Sequence, residues 1–365
     1  LGNSQIADIG PLSEMKELRS LNLHNNDISD LKPLAQLRKL TMLHLGQNEV
    51  ADLSALSELI AMEKLDFSDN RIAALDSLVG MKQLKVLRAS GNRIVDLRPL
   101  AGLRKLERLS LWGNQITDLT PLVGIKTIEE LRLDRNQITD LTPLAGLTAL
   151  RELSLNENQV ADFKPLGGLA QLEELGITKN PARDFLPLAG LSNLKSITFS
   201  PPEGTELGSV LGPMKALESV YLSGTVMKNL RPLVDALKEH PALISISAPQ
   251  CQVEDISALV NLPRLERLQL MGNRITDLKA LDGMARLNSL ILSQNRVIDL
   301  SPLAGVPSLS TLWLSGNQVR DVTPLKELKK LRTVLLQANR VPPEQLEELR
   351  KAIPGCRVNN KTAKK

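Results

Sequence analysis

The stretch Leu109-Ser-Leu-Trp-Gly-Asn-Gln-Ile-Thr-Asp-Leu-Thr-Pro-Leu122 contains a pattern that recurs along almost the whole chain. Two alternating leucines precede an asparagine, and an isoleucine, an aspartate and a Pro-Leu pair follow it. The asparagine returns every 22 residues in two series, at Asn26, Asn48, Asn70, Asn92, Asn114, Asn136, Asn158 and Asn180, and at Asn273, Asn295, Asn317 and Asn339. A period this strict predicts a solenoid, in which each repeat, or coil, buries its apolar side against its neighbours.

Each position of the pattern predicts a structural role. The alternating leucines point inward from a short strand while the residues beside them face solvent. The asparagine turns the corner, and its buried amide can bond backbone groups of adjacent coils. The Asp-Leu-x-Pro-Leu segment predicts a helical turn, with the Thr or Ser before the proline as N-cap. We interpret the recurring aspartate as a cap or turn former, because one carboxylate per coil cannot supply the roughly six to eight oxygens of a calcium site.

The full pattern, Leu-x-x-Leu-x-Leu-x-x-Asn-x-Ile-x-Asp-Leu-x-Pro-Leu-x-x-Leu, resembles the repeat of bacterial internalins and the related phosphatase-regulating Sds22-type repeats. The resemblance covers about residues 1–341. It implies an α/β solenoid: a leucine-rich-repeat horseshoe with a concave parallel β-sheet and convex 3₁₀ or short helical turns, which binds proteins on its concave face. The chain shows no helical cap before the repeats, no immunoglobulin-like module after them and no sorting signal. The resemblance is therefore not extended to invasion of host cells.

We expect three segments: a solenoid at residues 1–341, a C-terminal helical cap at 342–358 and a disordered basic tail at 359–365. The cap is predicted from apolar residues at helical spacing, with acids early and bases late in the segment.

The period fails between Asn180 and Asn273, which predicts an irregular waist at about residues 199–265. Within this waist we expect a loop around Pro201–Gly208 and a full α-turn at Val234–His240, where the coil is four residues longer than the others. Neutral drift in a tolerant fold would explain the irregularity as well as a functional loop would.

Composition limits the classes of function. The net charge of +4 falls to +1 without Lys361, Lys364 and Lys365, so we expect no nucleic-acid partner. No apolar run reaches the ~18 residues of a spanning helix, so we expect no membrane insertion. Phosphate-loop, zinc-protease and serine-hydrolase motifs are missing, so we expect no catalytic residue and no cofactor. His24, His44 and Asp66 on consecutive coils are too few ligands to predict a metal site.

The residues beside the inward leucines line the predicted concave face, where recognition would take place. Tryptophan and tyrosine are frequent interface anchors, and the two tryptophans and the single tyrosine all fall on this face. Around Trp313 the sequence places an apolar patch, and the middle coils present a field of mixed charge. We expect a partner to bind Trp112, Arg132, Asp134, Tyr221, Met271, Ile291, Trp313 and Leu335. The alternatives are that the patch packs on the C-terminal cap or on a segment missing from this sequence, and that the charges are solvated surface only.

The resulting prediction is a monomeric bacterial scaffold that holds a protein partner on its concave face and is secreted, periplasmic or displayed at the cell surface. The chain begins inside a repeat, at Leu1, so we expect preceding residues that included a targeting signal. Two alternatives stay open. One is a cytoplasmic regulatory subunit that docks on an enzyme such as a phosphatase. The other is a surface adhesin that binds glycans, with Trp112 and Trp313 as stacking platforms.

Overall fold

The computed structural model describes residues 1–360, and the chain divides into two compact units, Leu1–Leu191 (unit 1) and Ser192–Lys365 (unit 2). Each unit is a solenoid with one short strand per coil. Strands β1–β8 of unit 1 are Ser20–Asn22, Met42–His44, Lys64–Asp66, Val86–Arg88, Arg108–Ser110, Glu130–Arg132, Glu152–Ser154 and Glu174–Gly176. Strands β9–β16 of unit 2 are Ser196–Phe199, Ser219–Leu222, Ser245–Ser247, Arg267–Gln269, Ser289–Ile291, Thr311–Trp313, Thr333–Leu335 and Arg357–Asn359.

Within each unit the strands pair in chain order and all in parallel. Leu21 of β1 is level with Leu43 of β2, and the same position stays level through β8. In unit 2 the register is continuous from β9 to β16. The second residue of each strand up to β15 is buried, as the alternation of side chains requires. The core is therefore a stack of aliphatic side chains under the sheet.

A helical turn follows the strand in most coils. The described 3₁₀ turns are Gly10–Glu14, Lys32–Leu34, Ser54–Leu56, Asp76–Leu78, Arg98–Leu100, Thr120–Leu122, Thr142–Leu144, Lys164–Leu166, Leu186–Gly190, Ser257–Asn261, Lys279–Leu281, Ser301–Gly305 and Thr323–Glu327. Residues 1–360 also contain three α-helices, α1 at Leu207–Leu211, α2 at Arg231–Leu237 and α3 at Pro343–Ala352. The predicted solenoid with alternating strands and short turns is confirmed.

The capping prediction was half wrong. The Thr or Ser before the proline is not the N-cap, because it is the first helical residue and the N-cap positions are the preceding Leu119 and Leu141. The aspartate two residues earlier closes the turn instead: Asp118 Oδ1 accepts the Thr120 N–H at 2.8 Å. Asp140 accepts the Thr142 N–H at the same distance. Hydrogen bonds from the Thr142 side chain and backbone lower the pKa of Asp140.

The corner asparagines form the predicted ladder. Asn136 is buried, and its Nδ2 donates to the carbonyls of Leu133 in its own coil and Leu111 in the preceding coil, both at 3.0 Å. Its Oδ1 accepts the N–H of Ile116 from that preceding coil, also at 3.0 Å. The next asparagine, Asn158, repeats the same bonds one coil later. The carbonyls of Leu111 and Leu133 thus each accept from two successive asparagines, and each Oδ1 pairs a backbone N–H that would otherwise be buried without a partner.

The ladder is interrupted at the start of unit 2. Pro202 and Thr225 stand where asparagines would be expected, and among residues 1–360 no partner is found for the buried Thr225 Oγ1. Cys251 takes the next position, and its Sγ donates to the Pro249 carbonyl at 3.3 Å. From Asn273 onward the ladder resumes, with Asn273 Oδ1 accepting the Cys251 N–H at 3.0 Å.

Two helices replace 3₁₀ turns in this irregular stretch. The loop predicted around Pro201–Gly208 ends earlier than expected, because helix α1 begins at Leu207. Leu207, Val210 and Leu211 are buried and lie at helical spacing. The expected α-turn at Val234–His240 is present but lies three residues earlier, since Pro232 in its first turn starts the helix.

His240 connects these two helices. It lies just beyond α2, is only 5% exposed, and its Nε2 is 3.0 Å from the carbonyl of Leu211 at the end of α1. That contact requires the proton on Nε2, which leaves Nδ1 as an acceptor, and no partner for Nδ1 is found among the described residues. Burial lowers the pKa of His240, and the charge of Lys215 lowers it further.

The described part of the chain ends in a helix and a strand. Helix α3 buries Leu346 and Leu349, and β16 follows it. Asn359, which we placed in the tail, instead belongs to β16, because its carbonyl accepts the Leu336 N–H at 2.8 Å. Asn360 follows β16 without regular structure, and residues 361–365 of the predicted tail lie outside the described residues.

The ladder leads to a first prediction. Replacing Asn136 by alanine leaves the buried Ile116 N–H without its acceptor and removes one of the two amide donors from the carbonyls of Leu111 and Leu133. The free energy of unfolding should fall by about 1–3 kcal/mol. Gln137→Ala, at the exposed neighbouring position, is the matched control and should change it by less than about 0.5 kcal/mol. Urea unfolding of both variants measures the difference, and equal midpoints would refute the ladder role.

His240 leads to a second prediction. Above pH ~6.5, the value for a free histidine, the imidazole is neutral in both the folded and the unfolded chain. As the pH falls, the unfolded chain takes up the proton first, because the folded pKa is lowered, so stability should decline until the folded pKa is passed. Urea unfolding between pH 7 and pH 5 should show this decline in the native chain and a smaller one in His240→Gln, which keeps a donor for Leu211. Identical slopes would show that burial does not hold His240 neutral.

Candidate protein-binding surface

The parallel register arranges the outward residues of each sheet into two rows. The first row contains the first residue of every strand and the second row contains the third. We call these positions the sheet face of a unit. Neighbouring strands are about 4.8 Å apart, so residues on adjacent strands of one row can touch. The sheet face is therefore a regular array of side chains. Neither the asparagine ladder nor the buried leucines restrict which residue types occupy it.

On the sheet face of unit 1 the charges pair with one another across strands. Arg108 Nε lies 2.9 Å from Glu130 Oε1, and Arg132 Nη2 lies 3.6 Å from Glu152 Oε2. Both pairs are open to solvent, where such contacts contribute at most about 1 kcal/mol. Arg132, which we predicted as a partner contact, thus has a neighbour within its own sheet.

Asp134, another predicted contact, lies just after β6 and is engaged in a polar network. It accepts hydrogen bonds from the Ser154 hydroxyl, and from the Asn156 backbone N–H at 3.1 Å and side-chain Nδ2 at 2.6 Å. Asn156 Oδ1 in turn accepts the N–H of Thr178 at 2.8 Å. Asp134 is therefore held in place by the next coil, whose Asn156 is in turn bonded to the coil after it.

Trp112 lies two residues beyond β5, at the edge of the sheet face, and is 37% exposed. The Arg135 guanidinium lies over its ring, 5.2 Å from the centroid, within the range of a cation–π contact. Arg135 also forms an ion pair with Glu157 at 3.1 Å. One face of this tryptophan is thus occupied by its own chain.

In unit 2 the structure brings together the predicted apolar patch. Ile291, Trp313 and Leu335 are level with one another in the second row, on the adjacent strands β13, β14 and β15. Trp313 is 37% exposed, and Ile291 and Leu335 are half-buried. Met271, just beyond β12, is also 37% exposed. Within residues 1–360 no hydrogen bond or cation–π contact to the Trp313 side chain is found, so its ring is open on the outward side.

Tyr221 is on the same row but not in the patch. It belongs to β10, four strands before Trp313, and Ser247 and Gln269 lie between. The structure therefore does not bring Tyr221 against the apolar patch.

Other side chains show no chemistry of their own. His44 Nδ1 lies 3.8 Å from Asp66 Oδ2, but residues 1–360 contain no group of three or more His, Cys, Asp or Glu side chains arranged to hold a metal. Cys251 and Cys356 are both free thiols. No helix in the described chain has the length and apolarity needed to cross a bilayer.

The sequence interpretation missed the difference in charge between the two sheet faces. In unit 1, eight of the sixteen outward strand positions are charged: Lys64, Asp66, Arg88, Arg108, Glu130, Arg132, Glu152 and Glu174. In unit 2 two of sixteen are charged, Arg267 and Arg357. Counting the charged residues at each strand position of the sequence would have revealed this difference in charge. Arg357 is the exception, because its row is defined only by the position of β16 in the structure.

Comparison with known proteins agrees with this architecture. A family model described as leucine-rich repeats (2 copies) matches residues 16–59, 82–124, 104–146, 126–168 and 285–327. A search of curated protein sequences finds no match.

Among solved structures, an internalin of Listeria monocytogenes (inlF) is similar at 27% identity and a TM-score of 0.64, with 88% of each chain covered. A leucine-rich-repeat protein of Leptospira interrogans is similar at 25% identity and a TM-score of 0.66, covering 95% of this chain and 85% of that one. The ectodomain of an Arabidopsis thaliana receptor kinase shares the fold at 20% identity and a TM-score of 0.62, covering 97% of this chain and 49% of that one. The chain is a leucine-rich-repeat protein with internalin-like repeats.

Proposed function

We propose that this chain is a non-catalytic scaffold that binds a protein partner on its sheet face. Leucine-rich-repeat folds are generally protein-binding and typically lack catalysis, and the similar structures include internalins and a receptor ectodomain. The observation that carries the proposal is the apolar patch of Met271, Ile291, Trp313 and Leu335 on an exposed sheet. Contiguous apolar side chains on a solvated surface mark interaction sites.

Trp313 is the proposed anchor of this surface. It is central in the patch, and an exposed indole supplies a large apolar area together with a hydrogen-bond donor. Its flanking positions in the first row are Ser289, Thr311 and Thr333. Hydroxyl side chains around an aromatic anchor provide adaptable hydrogen bonds at low entropic cost, as in antibody binding sites.

The other predicted contacts have supporting roles in this proposal. Arg132 and Asp134 in unit 1 are oriented by Glu152 and Asn156 and would contact a partner through polar groups. Trp112, with Arg135 over one face, would offer its remaining surface. We propose that the chain acts as a monomer, and that it is secreted, periplasmic or at the cell surface as the likeness to an internalin suggests. Fractionation of producing cells tests the location, and a purely cytoplasmic protein would favour a regulatory subunit.

The exposed tryptophans also fit a second function, glycan binding. Sugar rings stack on such side chains, so a glycan array probed with the full chain tests this possibility. Binding of one glycan class that is lost in Trp313→Ala, without any protein partner, would replace the proposal.

The anchor role leads to a third prediction. The partner is captured on the immobilised full chain, identified by mass spectrometry, prepared separately and titrated. Trp313→Ala should weaken its binding by about 2 kcal/mol or more, roughly thirtyfold, with little change in the urea midpoint because the side chain is exposed.

The matched control is Ile298→Ala, a 55% exposed apolar residue of the preceding coil that is not on the sheet face. It should leave the affinity unchanged. Full affinity in Trp313→Ala, or a loss of stability without a loss of binding, would contradict the anchor role.

A further inference from the structure

The sheet face of unit 2 has positive charges and no negative ones. Its first row is Ser196, Ser219, Ser245, Arg267, Ser289, Thr311, Thr333 and Arg357. Its second row is Thr198, Tyr221, Ser247, Gln269, Ile291, Trp313, Leu335 and Asn359. Hydroxyl, amide and apolar side chains fill every position except the two arginines. A partner that presents basic groups here would meet repulsion, and one that presents carboxylates would not.

The two arginines lie symmetrically about the anchor. Arg267 is on β12, Trp313 is on β14 and Arg357 is on β16, so each arginine is two strands from the tryptophan. At strand spacing this is about 10 Å on either side, and about 19 Å between the arginines. The apolar patch therefore occupies the interval between two cationic positions in the neighbouring row.

Neither arginine is neutralised by its own sheet. In unit 1, Arg108 of the same row pairs with Glu130 on the adjacent strand. The strand neighbours of Arg267 are Ser245 and Ser289, and that of Arg357 is Thr333. Within residues 1–360 no ion pair to either guanidinium is found. Both have their fork of donors available for an incoming carboxylate, the group that arginine binds in bidentate fashion.

We infer that the partner presents an acidic, extended protein segment that crosses unit 2 along its rows, with an apolar side chain on Trp313 and carboxylates at Arg267 and Arg357. An extended chain advances about 3.3 Å per residue, so about six residues separate the two carboxylates, and the apolar residue is midway between them. This inference rests on the proposed function and adds the chemistry of the partner: acid, two residues, apolar, two residues, acid.

The test uses a phage-displayed library of random linear nonapeptides selected on the full chain, with parallel selections on Trp313→Ala and on the double variant Arg267→Gln, Arg357→Gln. The expected result is enrichment of peptides with an aliphatic or aromatic residue about three positions from an acid on each side. Enrichment should be lost on both variants. Arg286→Gln, an exposed arginine of unit 2 outside the sheet face, is the control and should select the same peptides.

A synthetic peptide measures the electrostatics directly. A nonapeptide with glutamate at its second and eighth positions and phenylalanine at its fifth should associate about three- to tenfold more slowly with the double variant at low ionic strength. Added salt should remove this difference, and the same peptide with glutamines should not distinguish the two proteins.

The outcomes separate the two claims. Enriched peptides that depend on Trp313 but show no acidic preference would overturn this inference and leave the protein-binding function standing. Failure to enrich any Trp313-dependent peptide would overturn both claims for this face. Binding of dextran sulfate that requires both arginines, with no peptide enrichment, would assign the face to an anionic polysaccharide and overturn the inference.

Discussion

The buried corner amide is the interaction on which the rest of the structure depends. A coil of 22 residues is too short to pair its corner backbone groups within itself, and at those corners water is excluded. Asn136 and its equivalents solve this by bonding two coils at once. Because every amide joins a coil to the one before it at the same backbone atoms, the strands are fixed level with one another. The rows of outward side chains are a direct consequence of this register.

The interruption of the ladder shows what happens without that constraint. The buried Thr225 hydroxyl has no partner among the described residues, and Cys251 supplies a thiol in place of an amide. This is also the stretch in which coils differ in length and helices α1 and α2 replace 3₁₀ turns. Packing between the two helices, with His240 bonded to Leu211, supplies a local substitute. Burial disfavours the charged form of this imidazole and lowers its pKa, whereas an asparagine amide does not titrate. The contact between α1 and α2 therefore adds a dependence on pH that the asparagine ladder lacks.

The sequence was sufficient for the features that repeat. A leucine or asparagine that returns every 22 residues reports directly on burial and pairing, so the strands, the ladder and the apolar patch around Trp313 could be predicted. It was insufficient where a side chain's partner lies one coil away and varies. Three features depend on such neighbours across the sheet. Arg132 pairs with Glu152, Arg135 lies over the ring of Trp112, and Arg267 has only serines beside it in its row and no ion pair among the described residues. The prediction that Thr120 caps its turn was wrong for a local reason. The turn begins at Thr120 itself, so the side chain of Asp118, two residues earlier, accepts the backbone N–H there.

The central claim is that recognition takes place on the rows of unit 2, apart from the residues that build the coil. Photo-crosslinking tests it most directly. p-Benzoylphenylalanine is placed at Ile291 on the sheet face, and in a second protein at Ile298 of the same coil, which is exposed outside it. The account predicts covalent capture of the purified partner from position 291 and not from position 298. Capture from position 298 alone would contradict it.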